Sequence, residues 1–138
     1  MSHDASKVVM GSTKSSFRVV DNRKGDIDAG FVVRLKTDGD IDKASGSILG
    51  ISLGKDLGGA GHTNICRAGL EVPVIVKSGQ TPVLGAQVAI HDSTADAGTV
   101  GETDFTAVNA VYSKVGLTGI AEDGSSVDVA LVDMQGGL

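Results

Sequence analysis

The sequence predicts an all-β fold: a small β-barrel or β-sandwich with two similar halves, an extended N-terminal arm, long loops and at most one short helix. Three observations carry this. Glycine supplies 20 of the 138 residues without a collagen period, far above an average usage of roughly 7%, as many tight turns require. Short runs rich in Val and Ile are punctuated by turn dipeptides such as Asp38-Gly39 and Asp123-Gly124, the pattern of short strands joined by turns. The longest apolar segment, Gly69 to Ile90, holds both prolines. It reads as strand, turn, strand: β-branched residues from Glu71 to Val76, a break at Ser78-Gly79-Gln80, and a second run from Val83 to Ile90.

Met1 to Ser16 is small and polar apart from Val8-Val9-Met10. Such a segment cannot bury enough surface to offset its ordering entropy alone, so an arm over 1–16 is expected, either a disordered leader or an arm that orders against a partner with Val8-Val9-Met10 as its anchor, with residues 17–138 as one domain. Phe17 to Val20 predicts a short strand ended by a turn over Asp21 to Asp26. Gly30 to Lys36 is the first clear strand, with a turn at Thr37 to Asp40, where aspartate can hydrogen-bond its own backbone. Ile48 to Leu53 is the next strand, and Gly54 to Gly61 is expected to be a glycine-rich loop, mobile or wrapped closely around something. Pro73 removes a ladder donor, which places it at an edge or bulge. His91 to Thr103 predicts a long exposed loop. Asp104 to Val115 is ambiguous: Phe105, Val108 and Tyr112 could share a helix face, and the β-branched residues equally allow a strand. Leu117 to Ala121 and Val127 to Val132 close the domain around the Asp123-Gly124 turn, and Gly136 to Leu138 is a short loose end.

The strands repeat an order. Gly30-Phe-Val-Val-Arg-Leu35, Leu49-Gly-Ile-Ser52 and Val72-Pro-Val-Ile-Val76 are echoed by Gly85-Ala-Gln-Val-Ala-Ile90, Thr118-Gly-Ile-Ala121 and Val127-Asp-Val-Ala-Leu-Val132. Two such halves packed face to face would limit exposed edges. The segment Gly69 to Ile90 is then the junction between them.

Bulk properties narrow the function. Aromatic residues are only 3%, so the core must be Val, Ile, Leu and Ala. The net charge of −5 and the absence of any basic run argue against a nucleic-acid partner, since phosphate binding needs clustered Lys and Arg. Cys66 is the single cysteine and cannot form an internal disulfide. The first residues lack a signal-peptide pattern, so synthesis and retention in a cytoplasm is expected. With no run of about 18 apolar residues, no membrane span is expected.

No motif carries evident catalysis. His62 lies near Cys66, but a zinc site typically needs four ligands. Asp38, Asp40 and Asp42 lack the longer ligand series and terminal glutamate of a calcium loop. Gly50-Ile-Ser-Leu-Gly-Lys-Asp56 has its glycines too close for a phosphate loop, and Asp56 stands where Ser or Thr would hold magnesium. No Gly-x-Ser-x-Gly elbow occurs. Arg67 beside Cys66 could lower the thiol pKa, but without a base the thiol reads as structural. Catalytic residues, cofactor and metal are all expected to be absent.

The series Gly30 to Leu35, Leu49-Gly-Ile51, Gly69 to Val76, Pro82 to Ile90 and Thr118 to Gly124 resembles the small head-decoration, or capsid cement, proteins of tailed bacteriophages. The resemblance spans about Gly30 to Asp133. It implies a non-enzymatic β module on the outer surface of the phage head. Such a module bridges neighbouring major capsid protein subunits and meets other copies of itself, with a trimer favoured over a dimer. The chain departs from lambda-type decoration proteins in its longer glycine-rich loop and in the segment His91 to Val115. Candidate capsid contacts are Val8, Val9, Met10 and Phe17 of the arm region, with Lys55 and Leu57 of the glycine-rich loop. The alternative is a β-barrel binding module that takes a glycan or peptide on its long loops. The scarcity of aromatic stacking surface speaks against glycan.

Overall fold

The computed structural model describes residues 18–44, 47–58, 61–91, 96–101 and 106–134. Among them are nine strands: β1 (Arg18–Lys24), β2 (Val32–Leu35), β3 (Ile41–Lys43), β4 (Gly50–Lys55), β5 (His62–Ile75), β6 (Gln87–Ile90), β7 (Val100–Gly101), β8 (Thr106–Ile120) and β9 (Ser126–Met134). All belong to one sheet in the order β3-β2-β4-β5-β9-β8-β6-β7, with β1 added to β5. Every ladder is antiparallel. The fold is all-β.

The sheet order is a palindrome. In the first half β2 lies between β3 and β4, and β4 leads to β5; in the second, β6 lies between β7 and β8, and β8 leads to β9. The halves join where β5 pairs with β9. Both β2 and β6 begin two residues after a glycine in the left-handed region, Gly30 (φ 93°) and Gly85 (φ 81°), a turn that side-chain-bearing residues enter at a cost. Two of the three sequence echoes are therefore structural counterparts. The third is not. Leu49 to Ser52 enters β4 where Gly50 pairs with Val33, whereas Val88, the echo of Val33, lies between Gln87 and Ala89, which pair with Val111 and Ala107 of β8. Thr118 to Ile120 lies at the far end of β8 against β9. A short Gly-Ile match carries too little information to fix a register.

The far edge of the sheet returns to its middle. A parallel bridge joins Val100 to Val76, and the Lys77 N–H donates to the Val100 carbonyl at 2.8 Å. Val32 donates to the Gly98 carbonyl, and Gly98 donates to that of Ala44, both at 2.8 Å. The sheet curls into a barrel-like body around Val32, Ile51, Val72, Val74, Val88, Ile90, Val100, Tyr112, Ala130 and Val132. Each fully buried Val or Ile contributes roughly 1.5–3 kcal/mol. The Tyr112 hydroxyl, the one phenol of the chain, donates to the Gly101 carbonyl at 2.7 Å. A second cluster of Ile27, Val33, Ile41, Leu49 and Ile65, with Phe31 against it, occupies the other face of β2-β4-β5. That is why Val32-Val33 and Ile65-Cys66 are buried as adjacent pairs.

Several expectations need correction. The segment Gly69 to Ile90 is not a hairpin: β5 ends at Ile75 on β9, β6 starts at Gln87 on β8 and β7, and the two do not pair. Val83 and Leu84 are exposed at 67% and 63% in a connection outside the sheet. Their apolarity does not make a strand, because nothing lies beside them to complete a ladder. The turn expected over Asp21 to Asp26 begins late; β1 runs to Lys24 because β5 offers partners for every residue from Asn22 to Lys24. Within His91 to Thr103, the described residues 96–101 are not all exposed loop, since β7 lies there and Val100 is fully buried. From Thr106 the ambiguous segment is strand, with Val108, Ala110 and Tyr112 inward at every second position. Gly54 and Lys55 belong to β4, so the glycine-rich loop shrinks to a hairpin tip.

Other expectations hold. The Lys36 N–H donates to the Asp40 carbonyl and Gly39 to that of Lys36, at 2.8 and 3.0 Å, closing the Asp38-Gly39 turn. Asp123-Gly124 turns β8 into β9, with Ala121 donating to the Ser125 carbonyl at 2.9 Å. Pro73 sits just past an irregularity between Gly69 and Val72, on the part of β5 whose strand partner is β9 alone among the described residues. Residues 1–17 and 135–138 lie outside the described residues.

Gly50 is the tightest point of the barrel. A Cβ there would overlap the carbonyl oxygen of Cys66 and lie 2.8 Å from Ile65 Cγ2. Because the nearest obstacle is backbone, Gly50→Ala is expected to destabilise the protein by about 1–3 kcal/mol, read as a lower midpoint in urea unfolding.

Candidate docking surfaces

The sequence-derived contact residues Val8, Val9, Met10 and Phe17 lie outside the described residues. Lys55 and Leu57 are described, and the structure gives them different surroundings. Both belong to the β4–β5 hairpin, whose end is closed by the Asp56 N–H donating to the His62 carbonyl at 2.9 Å. The Gly58 N–H donates to Asp56 Oδ1 at 3.0 Å. Asn22 Nδ2 of β1 donates to Asp56 Oδ2 at 3.0 Å and to Asn64 Oδ1 at 2.9 Å, tying the tip to the neighbouring strand. Leu57 at this tip is fully exposed, an apolar side chain presented on a braced turn.

Lys55 points instead to Asp28, with Nζ 3.3 Å from Oδ1. Asp28 belongs to the segment between β1 and β2, which is strapped to the hairpin by two buried hydroxyls. Thr63 Oγ1 donates to the Gly25 carbonyl at 2.6 Å and accepts from the Ile27 N–H at 3.1 Å. Ser52 Oγ donates to the Ile27 carbonyl at 2.9 Å and accepts from the Gly54 N–H at 3.1 Å. A buried polar group without a partner is costly; these two are satisfied and fix the segment.

Asp28 also meets Glu122, from the β8–β9 turn. A hydrogen bond between the two carboxyls, followed by burial and the charge of Asp28, raises the pKa of Glu122. The same bond, aided by Lys55, lowers that of Asp28. Asp28, Lys43, Glu122 and Asp123 all line one shallow depression of about 270 Å³, a convergence of titratable groups that sequence reading did not foresee. Only the sheet brings them together. Their chemistry is that of a strap. Paired catalytic carboxyls of glycosidases stand about 5 Å or more apart with substrate between them, whereas these two bond directly. The Lys43 ammonium lies 3.9 Å from the Phe31 ring centroid, and Asp123 accepts from the Ser125 N–H at 2.9 Å and from its hydroxyl.

Cys66 is fully buried, and its thiol donates to the Ala68 carbonyl at 3.1 Å. Burial pushes its pKa up. Arg67 reaches the other way, 3.9 Å from Asp21. Among the described residues no group of three or more His, Cys, Asp and Glu could hold a metal ion, and no helix is long and apolar enough to cross a membrane.

β1 is paired to β5 alone among the described residues. Val19 and Val20 on it are 51% and 52% exposed, where an irregularity in the pairing falls. The residues before Arg18 lead directly into this edge.

No family model matches the sequence, and no curated protein matches it. Among solved structures, the fold is similar to that of a chain in the capsid of Myoviridae phage XM1. The TM-score is 0.62 and the identity 21%, over 91% of this chain and 88% of that one.

Two outcomes follow from the site chemistry. Glu122, with its pKa raised above the ordinary 4.5, adds stability in its protonated form. That contribution is complete below 4.5 and is lost as pH rises through the folded value. Asp28, lowered below 3.8, adds stability at higher pH, lost as pH falls through its folded value. Glu122→Gln keeps a donor toward Asp28 without titrating. Its melting temperature relative to wild type should therefore climb as pH rises from 4.5, and a parallel pair of pH curves would contradict the hydrogen bond between Asp28 and Glu122. Second, Cys66 should resist a thiol reagent in the native protein and react after denaturation, as mass spectrometry would show.

Proposed function

We propose that the chain is a structural virion protein. It binds the outer surface of a bacteriophage head and stabilises it by bridging major capsid protein subunits. The observation that carries this reading is the shared fold with a chain of a phage capsid, across nearly the whole of both. The physical character of the molecule supports it. The body is a strand framework in which the buried hydroxyls of Thr63 and Ser52 secure a strap, and a protein that cements a shell needs rigidity and contact area more than reactive groups. On this reading it is non-enzymatic, takes no cofactor, and acts with neighbouring copies of itself, with a trimer favoured over a dimer.

Docking would use the apolar tip at Leu57, Lys55 beside it, and the N-terminal segment through Val8, Val9, Met10 and Phe17. The β1 edge, with Val19 and Val20 exposed, offers backbone groups for strand addition, a recurrent mode in which main-chain bonds supply affinity. Repetition over a shell multiplies modest contacts, because many must fail together before a subunit leaves.

Purified protein added to heads of the cognate phage that lack it should bind saturably and raise the temperature at which they rupture. Absence of saturable binding in a sedimentation assay would sink the proposal.

A further inference from the structure

Among the described residues three strands have one strand partner each: β3 on β2, β7 on β6, and β1 on β5. A strand edge left open presents main-chain groups with which another chain can pair. The molecule closes the β7 edge itself, since Val100 bridges Val76 and its carbonyl accepts from the Lys77 N–H at 2.8 Å. That leaves β1 and β3.

Main-chain groups along an antiparallel strand point alternately toward the partner and away from it. Gly25, one residue past β1, donates to the Gly61 carbonyl at 2.6 Å. Counting back through the register, Arg23 and Asp21 also turn their main-chain groups to β5, so the Asn22 N–H points outward. On β3, the bonds from Lys36 to Asp40 and from Ala44 to Val32 put Asp42 toward β2 and the Lys43 N–H outward. Each outward N–H is already taken. Asn22 donates to Asp21 Oδ1 at 2.8 Å, and Lys43 donates to Asp42 Oδ1 at 2.8 Å. In both cases the second carboxylate oxygen lies toward arginine. Asp21 Oδ2 is 3.0 Å from Arg23 Nε and 3.9 Å from Arg67, and Asp42 Oδ2 is 3.7 Å from Arg34. The two edges carry the same device.

We propose that Asp21 is a guard on the β1 edge: its carboxylate holds the outward main-chain donor and keeps copies of the chain from joining edge to edge. Asp42 is its counterpart on β3. β1 has the greater need, with seven residues against three and with Val19 and Val20 exposed. β-Branched residues on an open edge favour pairing. Burial opposes ionisation of Asp21, but Arg23, the Asn22 N–H and Arg67 together lower its pKa. An approaching strand therefore meets a charged acceptor where its own carbonyl needs a donor. Strand addition at β1 requires this carboxylate to move aside, which makes the edge latent in the free chain. The guard stands independently of the virion reading.

The test compares Asp21→Ala with Asp21→Asn in the full chain. Both lose the charge and with it the arginine pairing; the asparagine alone keeps an oxygen for the Asn22 N–H. Hydrogen exchange should show the Asn22 amide roughly tenfold faster in D21A than in wild type or D21N, with the Arg23 amide unchanged. In sedimentation velocity at equal concentration, D21A should form larger species than wild type, and D21N should not. Adding V20K, a charge on the same edge, should return D21A to the wild-type size. Equal Asn22 exchange in D21A and wild type overturns the cap. Larger species formed equally by D21N assign the effect to charge, and larger species that V20K leaves intact place the contact elsewhere. Each of these overturns the guard, as does D21A of wild-type size. Should D21A fail to fold, D42A and D42N, read at the Lys43 amide and by the same sedimentation, decide in its place.

Discussion

The pairing of β5 with β9 is the contact on which the rest of the molecule depends. It joins two half-sheets of the same connectivity and gives the barrel core its central rows, Val72 with Val132 and Val74 with Ala130. To make it, β5 must change partners midway, from β1 and β4 over its first half to β9 over its second. The change occurs between Gly69 and Val72, where Glu71 takes φ 53°, a left-handed conformation uncommon outside glycine. Its N–H is retained by the Asp133 carboxylate of β9, so the strand that accepts the switch also secures it.

From that seam two kinds of surface follow. Toward the first half, both faces of β2-β4-β5 are covered, one by the barrel core and the other by the Ile27, Val33, Ile41, Leu49 and Ile65 cluster. Thr63 and Ser52 anchor the segment that does the covering. Toward the second half, the inner face is covered and, among the described residues, the outer face of β5-β9-β8 is apolar without an equivalent cluster on it. The hairpin tip and the strapped carboxyl pair serve the first half as fasteners, and of the two loop residues first favoured as contacts, Lys55 is one of them.

The fold class, the Asp-Gly turns, the two-half organisation and the inert Cys66 were legible in the chain because each depends on local pattern. Alternation, glycine placement and the lack of a base beside a lone thiol are visible without neighbours. The errors cluster where a neighbour decides. Val83 and Leu84 are as apolar as strand residues but have no ladder beside them, whereas Asp21 to Lys24 look like a turn and become strand because β5 pairs with them. Val100, amid polar residues, is buried because the sheet curls back onto Val76.

By itself the sequence determined that the protein would be built of strands with an aliphatic core, since composition and periodicity limit what can be buried and how; it did not foresee that β5 and β8 run to 14 and 15 residues. It also marked β2 with β6 and β5 with β9 as counterparts. Only the tertiary structure decided that Asp28 and Glu122 meet, that Lys55 is engaged, and that Val127, Val129 and Leu131 look outward. The physical reason is one of register. Alternation says that two faces exist, but which face is inside depends on the strand opposite, and a strand apolar on both faces gives no local sign of the answer.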